Sequence, residues 1–207
     1  MSSYVMHLCI SNKIKENLNL TDKFLYGSVL PDIIKEITGD REGTHFLKES
    51  IVEGQLRKLP QIEKAIAELD IGDKEIKLGY IAHLIEDYIW FSEYIPKFTK
   101  KVSNEEIKYL KDGTIHSIEE YRNNIYFDYS NSNKYLIDNN IDFEKMKEGI
   151  VSLMPDENQI KVFSKSTDCT INLGIASNTF LTKEVMDEYL KIAQRLTEAK
   201  ILELLGE

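Results

Sequence analysis

Four histidines are among the scarcest polar residues of this 207-residue chain: His7, His45, His83 and His116. Three of them have an acid four positions on, giving His45 with Glu49, His83 with Asp87 and His116 with Glu120. All four fall in segments whose patterning predicts helix, where residues four apart point the same way. Each pair could then clasp one ion between neighbouring turns. With 35 acids in the chain, three such pairs exceed chance only modestly.

Context separates the pairs. His83 and Asp87 lie in Gly79-Tyr-Ile-Ala-His83-Leu-Ile-Glu-Asp87-Tyr-Ile-Trp90, apolar on both sides. A carboxylate facing the interior there needs a cation or several donors; a buried structural His–Asp pair is the alternative. Asp32 follows Pro31 in the apolar run from Phe24, and reads either as a buried carboxylate or as the N-cap of a following helix. His45 opens a helix after a glycine-bearing turn. His7, in an apolar helix, fits a satisfied core histidine as well as a ligand. His116 and Glu120 sit in a charged stretch and read equally as a solvated face.

The elements that must position these residues read as helices. The patterning predicts helix over Tyr4–Leu18, a short helix from Asp22 that ends before Pro31, and a connector over 34–41. A helical pair follows over 44–59 and 61–69, interrupted by Pro60. The strongest period is 73–94, with Ile76, Leu78, Ile81, Ala82, Ile85, Ile89 and Trp90 recurring at steps of three and four. Ser103-Asn-Glu-Glu106 has the pattern of a capping box, opening a helix to Phe127. The Asn- and Ser-rich stretch 129–140 reads as loop or a poor helix, 161–173 as weakly strand-like, and 142–154 and 182–205 as helices. The expected fold is all-α: one multi-helix bundle spanning 1–207, with site residues within about 1–120.

Composition narrows the function classes. A net charge of −9 repels phosphate backbones, so sequence-independent nucleic-acid binding is not expected. A small phosphodiester held through a cation is compatible with it. No segment approaches the length needed to span a bilayer, and the N-terminus lacks a signal-peptide pattern. Two cysteines, Cys9 and Cys169, make no disulfide framework and read as reduced buried thiols, so a cytoplasmic protein is expected.

In order, these pieces resemble the zinc-dependent phospholipase C family, which shares its helical fold with the zinc nucleases. The matching parts are His7, the Phe-Leu-x-Gly-x-x-x-Pro-Asp block ending at Asp32, His45, the Gly-Tyr-x-x-His-x-x-x-Asp helix, and His116 with Glu120. The resemblance implies one zinc on His45, His83 and Asp87, a second on His116 and Glu120, and His7 near a third. Asp32 would be a ligand or the general base that deprotonates water. Manganese or iron are alternative ions where carboxylates replace imidazoles. The implied substrate is a small phosphodiester or a phospholipid head group.

Two departures stand out. Where the family places a further histidine after the central helix, this chain has Trp90-Phe-Ser-Glu93-Tyr94, with Glu93 as a substitute oxygen ligand. Secreted members also use their processed N-terminal amine as a ligand, a part not expected of Met1. The departures favour an alternative, a catalytically degenerate domain of the same fold with a binding or structural role. A phosphohydrolase with adjacent His-Asp ligands is disfavoured, since no His-Asp dipeptide occurs. Were the substrate a lipid, Trp90, Phe91 and Tyr94 are the apolar contacts to expect. Metal count and oligomeric state are open at this point.

Overall fold

The computed structural model describes residues 3–140, 142–167 and 174–206. Three helices make the heart of the molecule: α1 (Tyr4–Leu18), α2 (Asp22–Thr38) and, after intervening elements, α5 (Lys74–Ile89). Each carries a long run of buried residues, and α10 (Lys183–Leu205) packs against α1 and α5. Their caps follow the sequence. Ser3 accepts from Met6 N–H at the start of α1, Asp73 accepts from Glu75 and Ile76 N–H at the start of α5, and Thr182 caps α10. The architecture is thus mostly helical, with small sheets attached.

Several expectations are corrected. Helix α2 does not stop at Pro31 but runs through it, with Thr21 as its N-cap. An interior proline costs about 3 kcal/mol; the unbroken burial of Phe24 to Ile33 offsets that cost. Asp32 is therefore inside a helix and caps nothing. The predicted helix over 44–59 is instead a short helix α3 (Arg41–Thr44) followed by a hairpin of β1 (Leu47–Val52) and β2 (Gln55–Pro60). Its turn, Glu53-Gly54, has φ of 48° and 74°, the left-handed pair that a two-residue hairpin loop requires. After α4 (Ile62–Glu68), α5 continues as a π-helical turn (Trp90–Tyr94) and then α6 (Ile95–Phe98).

The helix expected from Ser103 is a three-stranded antiparallel sheet of β3 (Thr99–Lys101), β4 (Glu106–Tyr109) and β5 (Ile115–Ser117). Ser103 and Glu106 do meet, but across a hairpin turn, where Val102 N–H donates to the Glu106 carbonyl at 3.0 Å. Helix begins only at α7 (Ile118–Asn140), which includes the stretch read as loop. Its polar residues turn inward because the segment before α10 has backbone donors to satisfy. The Asp128 carboxylate accepts N–H bonds from Thr179, Phe180 and Leu181 at 2.6–3.0 Å. Of the stretch 161–173 expected to be strand-like, 161–167 is helical in α9 (Glu157–Thr167), which follows α8 (Phe143–Val151), and 168–173 lie outside the described residues.

Cys9 is buried, and burial pushes its thiol up to about 12, so it is an inert packing residue. Cys169 lies outside the described residues. No helix among the described residues is long and apolar enough to cross a membrane.

Candidate metal centre

Helices α2 and α5 cross at two glycines. A Cβ built on Gly27 would lie 2.2 Å from the Ile76 carbonyl oxygen, and one on Gly79 would lie 2.1 Å from that of Phe24. Only residues without side chains allow the backbones this close. One turn beyond Gly79, the His83 ring reaches α2 and donates its Nδ1–H to the Ser28 carbonyl at 2.8 Å. That bond leaves the Nε2 lone pair of His83 facing the interior.

The other two histidines of the cluster are held by the same device. His45 follows α3, whose N-cap is Asp40. The Thr44 hydroxyl donates to the Asp40 carbonyl at 2.7 Å and accepts from His45 Nδ1–H at 2.9 Å. The Tyr80 hydroxyl in turn donates to the Thr44 carbonyl, tying this loop to α5. On α1, His7 Nδ1 meets Glu86 Oε2 at 2.5 Å. Ser11 donates to the other Glu86 oxygen at 3.4 Å, and the Tyr189 hydroxyl to the Glu86 backbone carbonyl at 3.2 Å.

With every Nδ1 occupied, the three Nε2 atoms converge with two carboxylates. His45 Nε2 lies 3.2 Å from His83 Nε2 and 3.3 Å from Asp32 Oδ1. Asp87 Oδ2 is 3.9 Å from both of those nitrogens, and Asp87 Oδ1 is 3.6 Å from His7 Nε2. The His7 and His83 rings stack with centroids 3.8 Å apart. All five side chains are at most 1% exposed. Among the described residues, two overlapping sets have ligand atoms mutually within 4.8 Å: His7, His83 and Asp87, and Asp32, His45 and His83. Ligands about 2.1 Å from a tetrahedral ion are about 3.4 Å apart, so the spacings of His45 to His83 and to Asp32 match a coordination edge.

Electrostatics favour a cation. Asp32, Glu86 and Asp87 are three fully buried carboxylates, and Lys35, 3.4 Å from Asp32 Oδ1, also serves Glu36. Asp32 Oδ2 has no hydrogen-bond partner among the described residues. Burial works to raise Asp32, but His45, His83 and Lys35 hold it below the usual carboxylate range. Burial also opposes ionisation of Asp87, which a hydrogen bond from His7 keeps well below its ordinary value. Burial, reinforced by the neighbouring His7, lowers His83 to about 3 and keeps its lone pair available. His7 is itself disfavoured as a cation by burial, yet Asp87 and Glu86 lift it to about 10. Burial raises Glu86 to about 7. Two lone pairs 3.2 Å apart beside an unsatisfied buried carboxylate oxygen fit a divalent ion.

Of the seven residues expected at the site, five meet here and two do not. His116 lies on β5, where it stacks on Tyr109 at 3.9 Å and bonds Thr114. Glu120 is in the first turn of α7 and accepts from Ser117 N–H. The pair is 3.8 Å apart, with His116 half-buried and Glu120 exposed on a strand–helix junction, not stacked on one helix. Glu93 is exposed on the π turn, and Trp90 and Tyr94 are core residues, with Phe91 half-buried. Glu86, which holds His7, went unread in the sequence.

No protein-family model, curated protein or solved structure matches the chain.

Proposed function

We propose that this chain is a metal-dependent hydrolase of phosphate esters, its ion held by Asp32, His45, His83 and Asp87 with His7 alongside. The supporting observation is the convergence of three Nε2 atoms on two buried carboxylates while each Nδ1 is engaged elsewhere. Outer partners that fix the tautomer are the usual companions of histidine ligands. A divalent ion, zinc or else manganese or iron, supplies Lewis acidity toward a phosphoryl oxygen and lowers the pKa of water. Asp32, whose Oδ2 has no hydrogen-bond partner among the described residues, would serve as a ligand or as a general base. Lys35, beside Asp32, offers positive charge to a phosphate oxygen.

One observation favours a second reading, a binding or structural metal domain without turnover. Structural sites are closed and catalytic ones keep a position open, and all five ligand side chains are at most 1% exposed. A cavity of about 680 Å³ between Glu36, Ile37, Lys161 and Lys165 is not lined by any of them.

Elemental analysis of the purified protein beside His83→Ala/Asp87→Ala tests the centre. Stoichiometric metal that the double variant loses is expected. A metal-free protein that takes up no added zinc, manganese or iron sinks both readings. Hydrolysis of bis(p-nitrophenyl) phosphate by the loaded protein, lost together with the metal in His83→Ala/Asp87→Ala, supports the hydrolase. Metal binding with no hydrolysis across a panel of phosphate esters assigns the structural role.

A further inference from the structure

The two small sheets adjoin. Gln55 Nε2–H donates to the Lys101 carbonyl and Gln55 Oε1 accepts from Lys101 N–H, both at 3.3 Å. Arg57 reaches the Thr99 carbonyl at 3.5 Å. Nine large apolar side chains are exposed among the described residues, and five of them lie on these strands and turns. Ile51 is 77% exposed and Leu56 60% on the first hairpin, and Ile115 is 56% exposed on the second sheet, with Val102 and Leu110 in its turns. Concentration of over half of them in two hairpins marks a surface with a use.

Register places them. Ile51 and Leu56 are directly paired across β1 and β2, one step from the Glu53-Gly54 turn, so both crown one face of the hairpin tip. On the second sheet, Lys100 pairs with Lys108 and Lys108 with Ile115, giving a row of two ammonium groups and one apolar side chain across three strands. Segments 47–60 and 99–117 together hold seven lysines and arginines against five acids, a charge of +2. With −9 overall, the remainder of the chain carries −11. A negative surface repels the body of the molecule and admits this end first.

We propose that these two hairpins dock on an anionic lipid surface. Exposed aliphatic side chains enter the boundary of head groups and acyl chains, which demands no complementary shape, while lysines stay with the lipid phosphates on their apolar stems. An apolar pair crowning the tip does not suit a nucleic-acid backbone. The surface is separate from the metal centre and does not depend on its chemistry.

Co-sedimentation with vesicles tests this. Wild-type protein is expected to sediment with phosphatidylcholine vesicles containing phosphatidylglycerol, and about tenfold less with phosphatidylcholine alone or at high salt. Ile51→Ser/Leu56→Ser and Lys100→Glu/Lys108→Glu should each lower partitioning about tenfold with unchanged circular-dichroism melting. No association with the anionic vesicles, or association that both variants retain, overturns the proposal. So does a dimer in sedimentation velocity that the Ile51/Leu56 variant dissociates without any vesicle binding, which assigns the face to a second copy.

Discussion

His83 with Asp87 and His116 with Glu120 share the same spacing in sequence, and the fold treats them in opposite ways. The first pair rides one helix whose surroundings are apolar, and is at most 1% exposed. The second straddles the junction of β5 and α7, with His116 28% and Glu120 62% exposed. A four-residue spacing therefore says little by itself. It becomes a ligand pair where a helix is certain and neighbouring helices close over it, as α2 does over α5 at Gly27 and Gly79.

The sharpest way to break this comparison is to delete both pairs. His83→Ala/Asp87→Ala should weaken metal binding more than about 100-fold, beyond the loss typical of an outer-partner mutation. Metal titration by calorimetry would show it. Gly79→Ala attacks the seam instead. Its Cβ meets backbone, which cannot swing aside, so a loss of about 2 kcal/mol or more is expected, lowering Tm by roughly 4–8 °C. Differential scanning calorimetry checks this, and an unchanged Tm would show the seam to be loose.

Glu86→Gln keeps the shape but removes the carboxylate on His7, and should weaken metal binding about tenfold or more. In the metal-free protein the same charge has a pH signature. His7 is raised from its usual value to about 10. Its stabilisation is complete below about 6.5 and is lost as pH rises through about 10, because the folded state binds that proton more tightly than the unfolded chain. Urea midpoints of chelated protein should therefore fall across that window, and His7→Gln should flatten the fall. The smallest effect belongs to the outlying pair. His116→Ala/Glu120→Ala should leave metal content unchanged and cost under about 1 kcal/mol; loss of metal there would reinstate them as ligands.

Helices α1 and α5 were legible because their apolar period is long and their caps are conventional, at Ser3 and Asp73, whereas in α2 Pro31 read as a stop that the helix runs through. The hairpins were not. Residues 44–59 have enough aliphatics at helical spacing to mimic a helix, and only the Glu53-Gly54 turn betrays the strands. Ser103 and Glu106 satisfy a helix-start pattern equally well as a hairpin turn. In α7, Asn131, Ser132 and Asn133 read as loop because local propensity knows nothing of the donors that Asp128 and Asn178 must serve. For the site, the order of His7, Asp32, His45, His83 and Asp87 carried the signal. Glu86 escaped because its role is to hold a histidine, which no spacing announces.

The centre gathers side chains from distant points of the chain: His45 and His83 are 38 residues apart, and His7 and Glu86 are 79 apart. An ion there would act as a removable cross-link, closing long loops as a disulfide does but without any oxidation. Its free energy of binding would then be stored as resistance to unfolding. Chelation would act as a reductant does on a stapled protein, loosening α1, α2 and α5 from one another first.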